Sequence, residues 1–383
     1  VSEAAEARCS FSVVEGGPFS LLCARLGLLS PALGRTGRRA AALTALAWVP
    51  LAALSAAGPG GPGAFFSDAA TQVRLLLALP LLVLTERFAH PRQRFVPAVF
   101  LERGLVRDAD LPAFGAAIAA ARRLRDGPLE LWLLAVVAAA RLAFWRLPVG
   151  TPRAGWALAD SQAGPALTAA GLWYGALAVP LYQFLLLRWL ARLFIWARLL
   201  WRLSRLDLRL SAAHPDRAGG LDFLSAASSA FSPLIFSQSA LLAAMLSARV
   251  EPGGLAADRA AAAVLAAGLA LVLGPLLPFA VQLDACKRTQ LRRYGRLASG
   301  VVARFERRWL EGDWRAPLPA ADLLEFSALG PAYDLAGRMR LLPFGLDTLA
   351  RLGAAAAAPW LPLAVLSGRS LAVFKALVKG LLM

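Results

Sequence analysis

Seven apolar stretches, separated by intervals that alternate between arginine-rich and arginine-poor, decide what this chain can fold into. They run over about Ala40–Ala57, Val73–Thr85, Leu129–Trp145, Ala166–Leu187, Leu221–Ser247, Ala260–Leu283 and Phe344–Leu366. Crossing a bilayer takes about 20 mostly apolar residues in a helix, because unpaired backbone polar groups are costly in hydrocarbon. The fourth and sixth stretches meet that length, while the second and third are short or carry charge. Hydrophobic residues make up 58% of the chain and charged residues 17%, against about 45–50% and about 25% in soluble domains. The expected fold is all-α, a polytopic integral membrane protein with about seven transmembrane helices and amphipathic helices on the cytoplasmic side.

Basic residues give an independent test of the threading. The intervals before Ala40 and over 87–128, 188–220 and 284–343 hold 5, 8, 7 and 11 of the 41 Lys and Arg. The intervals 58–72, 146–165 and 248–258 hold 0, 2 and 1. Lys and Arg gather on the cytoplasmic side of membrane proteins, so the N-terminus is expected in the cytoplasm. Only Lys287, Lys375 and Lys379 are lysines, and alanine is abundant, which suggests a GC-rich bacterial genome and hence a bacterial inner membrane. The formal charge of +17 would suit nucleic acid. Its partition beside the spans instead puts it against anionic lipid, the expected partner, and no nucleic acid is expected.

The organisation that follows is a cytoplasmic N-terminal segment (1–39), spans 1–2 (40–86), a cytoplasmic helical loop (87–128), spans 3–4 (129–187), a cytoplasmic extension and loop (188–220), spans 5–6 (221–283), a cytoplasmic helical segment (284–343), span 7 (344–366) and an interfacial tail (367–383). In the tail, Leu371, Phe374, Leu377, Val378 and Leu381 have helical spacing, with Lys375 and Lys379 on the other side. Pro359 and Pro362 leave open a re-entrant hairpin in place of a seventh crossing. Asp110 stands at an N-cap position with Pro112 in the first turn of a helix over 111–124. Beyond the fourth span, Trp189, Leu193, Trp196, Leu200 and Leu203 keep helical spacing among Arg188, Arg192, Arg198, Arg202 and Arg205. That pattern suits the headgroup layer, with arginine stems snorkelling. The residues from Val1 to Ser20 include acids and lack a continuous apolar core, so no cleavable signal peptide is expected.

Three features are candidates for function. The first is the string His214-Pro215-Asp216-Arg217-Ala218-Gly219-Gly220-Leu221-Asp222. His214, Asp216 and Asp222 could bind a cation or relay a proton, with Arg217, Gly219 and Gly220 shaping a gate or ligand loop. Equally, Pro215 ends one element, the glycines turn the chain, and Asp222 caps or complements the N-terminus of the next helix. The second is a polar stripe in the fifth span, Ser225, Ser228, Ser229, Ser232 and Ser239, which either lines a pathway or lets helices pack closely. The third is the set of intramembrane charges Arg141, Asp347 and Arg351. Asp347 and Arg351 are four apart and can pair, and Arg141 with Asp347 is a possible buried pair. Glu86 and His90 form an i, i+4 pair expected at the interface.

The stretch Trp201–Leu224 resembles a block in an uncharacterised family of bacterial multi-pass inner-membrane proteins. Glu102-Arg103-Gly104-Leu105, Tyr294-Gly295 and Met339-Arg340-Leu341-Leu342-Pro343-Phe344 are similar to the same family. The resemblance implies a membrane placement and no particular activity.

Catalytic templates are missing: no phosphate-cradling glycine loop, zinc-ligand histidine pair, nucleophile elbow or CxxC. No catalytic residue, metal or cofactor is expected. Cys9, Cys23 and Cys286 read as free thiols. No internal repeat is visible. The first functional reading is a transporter or channel for a small solute or ion, using the serine stripe and the 214–222 loop. A non-catalytic scaffold or sensor binding a cytoplasmic partner or anionic lipid is the second. A membrane-embedded enzyme acting on a lipid-linked substrate through His214, Asp216 and Arg217 is the third.

Overall fold

The computed structural model describes residues 11–20, 36–143, 155–161, 164–247, 255–309, 311 and 320–362. Its helices are α1 (Thr36–Ala56), α2 (Ala69–Glu102), α3 (Leu111–Asp126), α4 (Leu129–Ala143), α5 (Ala169–Leu203), α6 (Phe223–Ser247), α7 (Leu255–Leu273), α8 (Phe279–Trp309), α9 (Ala320–Gly337) and α10 (Leu346–Ala357). One short antiparallel hairpin, β1 (Leu158–Ser161) with β2 (Gly164–Leu167), precedes α5. The start of the fourth apolar stretch is therefore strand rather than helix. Thr168 then caps α5, its Oγ1 accepting from Gly171 N at 3.0 Å and donating to Trp156 O at 2.7 Å.

Among the described residues, α1, α2, α5 and α6 are long and apolar enough to cross a membrane. A fifth crossing is added if α7 and α8, which meet at 57°, form one bent span. That is fewer than the seven the sequence predicts. The third stretch falls on α4, which is described as far as Ala143, residues 144–150 lying outside the described residues. The seventh is α10, only 12 residues long, after which Pro359 enters a tighter 3-10 turn over Ala358–Trp360. The interfacial tail 367–383, Cys9 and Cys23 lie outside the described residues.

The two ends of the bundle differ in charge. At one end, Arg39 of α1, Glu86 of α2, Glu130 of α4 and Arg188 and Arg192 of α5 converge. At the other, two of the arginine-poor intervals, 58–72 and 146–165, meet. Phe65 packs edge-on to Trp156 at 5.4 Å, Trp156 does the same to Tyr174 at 5.5 Å, and a Cβ on Gly60 would lie 2.6 Å from Gly155 O.

Two long helices are distorted at matching places. A π-helical turn spans Val73–Ala78 in α2 and another spans Tyr174–Ala178 in α5. Each ends two residues before a proline, Pro80 or Pro180, whose missing N–H and ring clash with the preceding turn favour such a widening. The two turns face one another. Arg74 donates to the Tyr174 hydroxyl, its guanidinium carbon lies 5.8 and 5.9 Å from the Tyr174 and Tyr182 ring centres, and Tyr182 donates to Gln238 Oε1 at 2.6 Å.

Candidate functional site

The 214–222 loop is a compact, internally bonded turn. Asp216 Oδ1 accepts from the amides of Ala218 at 2.8 Å and Gly220 at 3.1 Å, and Oδ2 accepts from Asp222 N at 3.2 Å. His214 Nδ1 lies 2.8 Å from the same carboxylate. Burial alone would raise the Asp216 pKa, but these three amides and the histidine outweigh it and hold the carboxyl below its usual value. Arg217 at φ 55°, Gly219 at φ 66° and Gly220 at φ 98° take the backbone through left-handed space. Only glycine enters that space without strain, which is why Arg217 stands out.

Around this turn the distant segments of the chain assemble. Arg103 Nη1 donates to Gly220 O at 2.7 Å and lies 3.7 Å from Asp216 Oδ2. Arg340 Nη2 donates to Asp216 O at 2.9 Å and to Asp222 Oδ1 at 2.8 Å, while its amide donates to Arg217 O at 2.7 Å. Gln290 of α8 brackets the approach, accepting from Ala212 N at 2.6 Å and donating to Leu210 O at 2.9 Å. Lys287 Nζ donates to Met339 O at 2.7 Å. Asp222 occupies the N-cap position of α6 without a side-chain cap bond; its carboxylate is drawn to Arg340 instead, which corrects the capping role expected for it. All six loop residues thus sit in one hub, with Asp216 turned inward onto backbone amides rather than toward an open ligand position.

The serine stripe is buried. Ser225, Ser228, Ser229 and Ser239 are shielded from solvent and Ser232 is half-buried. Ser229 donates back to Ala226 O at 2.8 Å. Ser239 donates to Ala356 O of α10 and accepts from Trp360 Nε1 at 2.8 Å. Such bonds across and along helices are the close-packing use of serine. Ser228 Oγ, beside the break in α6 between Ser229 and Ser232, has no partner among the described residues.

The intramembrane charges are not brought together. Asp347 and Arg351 are both exposed, and among the described residues no ion pair joins them or joins Arg141 to Asp347. Arg141 lies instead against α5, where Gly175 leaves the space: a Cβ there would be 2.8 Å from Arg141 Nη2. Cys286 is a free thiol whose Sγ contacts Leu210 O at 3.4 Å. No group of His, Cys, Asp and Glu that could hold a metal is found among the described residues.

The site that sequence reasoning missed is the charge cluster at the arginine-rich end. Glu86 is 3% exposed. Its Oε1 accepts from Arg188 Nη1 and Arg192 Nη1, each at 2.8 Å, and its Oε2 pairs with Arg39. Arg188 also pairs with Glu130 through Nε. Arg188 and Arg192 are buried ion-pair partners, not snorkelling residues, because α2 presents Glu86 to the face of α5 they share. Glu86 and His90, expected as one interfacial pair, part company. His90 turns to the N-terminal segment, with Nδ1 3.0 Å from Ser12 Oγ and Nε2 3.3 Å from Glu15 Oε1.

Fold and sites together define a helical protein with several helices apolar enough to cross a membrane and a polar, arginine-rich end. No family model, curated protein or solved structure matches the chain.

Proposed function

We propose that this is a multi-pass protein of a bacterial inner membrane, its N-terminus and arginine-rich end in the cytoplasm. It acts there as a non-catalytic scaffold or sensor whose basic helix α8 binds anionic lipid. The observation that carries the reading is the contrast between two sets of arginines. Arg188 and Arg192 are buried among carboxylates, whereas Arg288, Arg292, Arg293, Arg296 and Arg307 are exposed along α8. Arg292, Arg293 and Arg296 have no ion-pair partner among the described residues. Leu297 and Val302, 53% and 37% exposed, stand among them. A helix that leaves the last apolar helix obliquely, with arginines and exposed aliphatic residues, suits the headgroup layer.

Each guanidinium near an anionic surface contributes about 1 kcal/mol of attraction. Replacing Arg292, Arg293, Arg296 and Arg307 by Gln is expected to reduce clearly the anionic lipid retained through purification, counted by native mass spectrometry. Unchanged retention would remove α8 as the lipid contact. For the orientation, Ser67→Cys is expected to label from outside intact cells and Ser211→Cys only after permeabilisation; the reverse pattern would invert the threading.

Transport of a small solute or ion is the second reading. It is favoured by the break in α6 and by the facing π-helical turns with Arg74, Tyr174, Tyr182 and Gln238, since interrupted helices beside polar groups mark solute paths. Solute-dependent flux in reconstituted liposomes would decide for it.

A further inference from the structure

We propose that the N-terminal segment 11–20 is a displaceable plug occupying a phosphate-binding site formed by Arg125, Arg188 and Arg192. The site is separate from the lipid contact at α8.

The segment reaches the buried charge cluster with neutral oxygens. Ser12 O accepts from Arg125 Nη1 at 2.8 Å, Val14 O from Arg192 Nη2 at 3.2 Å, and Ser20 Oγ from Arg188 Nη2 at 2.9 Å. Three guanidinium groups on two helices, α3 and α5, thus direct N–H bonds at oxygens of one short segment. Further nitrogens of these arginines are held by carboxylates: Asp126 on Arg125, Glu86 on Arg192 Nη1, and Glu86 with Glu130 on Arg188. Those pairs orient the forks independently of the segment's oxygens.

A phosphate group carries at least three acceptor oxygens, and its negative charge adds ion-pair attraction and bidentate geometry that a carbonyl or hydroxyl does not offer a guanidinium. It would offer these guanidinium groups charged acceptors in place of two carbonyls and a hydroxyl. Either inorganic phosphate or the phosphate of a lipid headgroup has this chemistry.

The segment is built to seat closely and to turn. Phe11, Val13 and Val14 are buried, Phe19 packs edge-on to Phe184 at 5.3 Å, and Phe19 N donates to Glu130 Oε2 at 2.9 Å. Gly16 and Gly17 lie at φ 90° and 86°. A Cβ on Gly17 would stand 2.7 Å from Glu130 Oε2, so only glycine lets the backbone pass the carboxylate. Side-chain bonds from His90 to Ser12 and Glu15 add a hold near the surface.

The test uses the full chain in phosphatidylcholine nanodiscs, with Cys9, Cys23 and Cys286 changed to Ser and Val14→Cys as the reporter. Maleimide labelling is expected to be slow without phosphate. It should rise about tenfold, a shift in the plugged population, on adding inorganic phosphate or on exchanging into phosphatidylglycerol nanodiscs. A response to phosphate alone identifies a soluble ligand, and a response to the anionic bilayer alone identifies a headgroup. The response is expected to vanish in Arg192→Gln and, because that change touches a buried pair, also in the more peripheral Arg125→Gln. Gly17→Val should label fast with no addition. Labelling insensitive to both phosphate sources, or a response that survives Arg125→Gln and Arg192→Gln, or Gly17→Val remaining protected, would each overturn the proposal.

Discussion

Glu86→Gln is expected to destabilise the protein by about 3–5 kcal/mol, the range for removing one partner of a buried ion pair. The carboxylate is 3% exposed and pairs with Arg39, Arg188 and Arg192, which come from two other helices. An amide of the same shape keeps one acceptor oxygen and turns a donor toward guanidinium groups that are themselves only donors. Arg192, at 4% exposure, would then keep its charge in a dry site with little compensation. Asp207→Asn is the control. Asp207 pairs with Arg107 at 2.5 Å but is 65% exposed on its side chain, and surface pairs contribute about 0–1 kcal/mol. Thermal unfolding of the two purified variants, followed by tryptophan fluorescence, should separate them widely. Equal midpoints would mean that Glu86 does not hold the helices together.

The alternation of arginine-rich and arginine-poor intervals was legible in the sequence, because composition shows it directly. The pairing of those arginines was not. Arg188 and Arg192 lie four apart on the same face as Trp189 and Trp196, and that spacing fits a headgroup stripe as well as a buried one. What distinguishes the two is Glu86, about a hundred residues away in sequence. A usable signal was present: Glu86 and Glu130 are acids at the basic ends of apolar stretches, where lone carboxylates are costly unless paired.

Other misses have the same character. Hydropathy gives apolar stretches but not where a helix is interrupted, so the seventh stretch was read as one crossing although α10 gives way to a 3-10 turn after 12 residues. Residues 164–167 are apolar, and a short apolar run does not distinguish a strand from the start of a helix. The π-helical turns leave no periodic mark, although Pro80 and Pro180 were visible where the ladder had to be interrupted. The 214–222 loop was read either as a gate or ligand loop or as a turn, and its glycine and aspartate content was the visible part of the turn. That Arg103 and Arg340 close around it depends on contacts spanning more than a hundred residues, which spacing cannot supply.

In that loop, Gly219→Val is expected to exceed both Asp216→Asn and His214→Ala in its effect on stability. The backbone at Gly219 has φ 66°, and a Cβ would stand 3.0 Å from both Leu283 Cδ2 and Met339 Cε. Left-handed backbone costs a residue with a Cβ about 1–2 kcal/mol, and overpacking adds about 1–3 kcal/mol. Gly219→Ala shares the backbone strain with less crowding and should fall between valine and the native protein. Asp216→Asn keeps an acceptor for the amides of Ala218 and Gly220 but loses the charge beside Arg103 and His214. Its signature is in pH dependence. The folded Asp216 pKa is lowered, so its contribution is fully present above the unfolded carboxyl value and is lost as pH falls through the folded value. The acid limb of the stability profile should therefore flatten in Asp216→Asn and keep its slope in Gly219→Val. A ligand gate would reverse the ranking, with His214→Ala or Asp216→Asn removing function while Gly219→Val stayed folded and active. The turn reading gives the order it does because Gly219 sets the path of the backbone that Arg103 and Arg340 both bind. A change there moves the end of α2 and the approach to α10 together, whereas the polar contacts of the His214 ring are with Asp216.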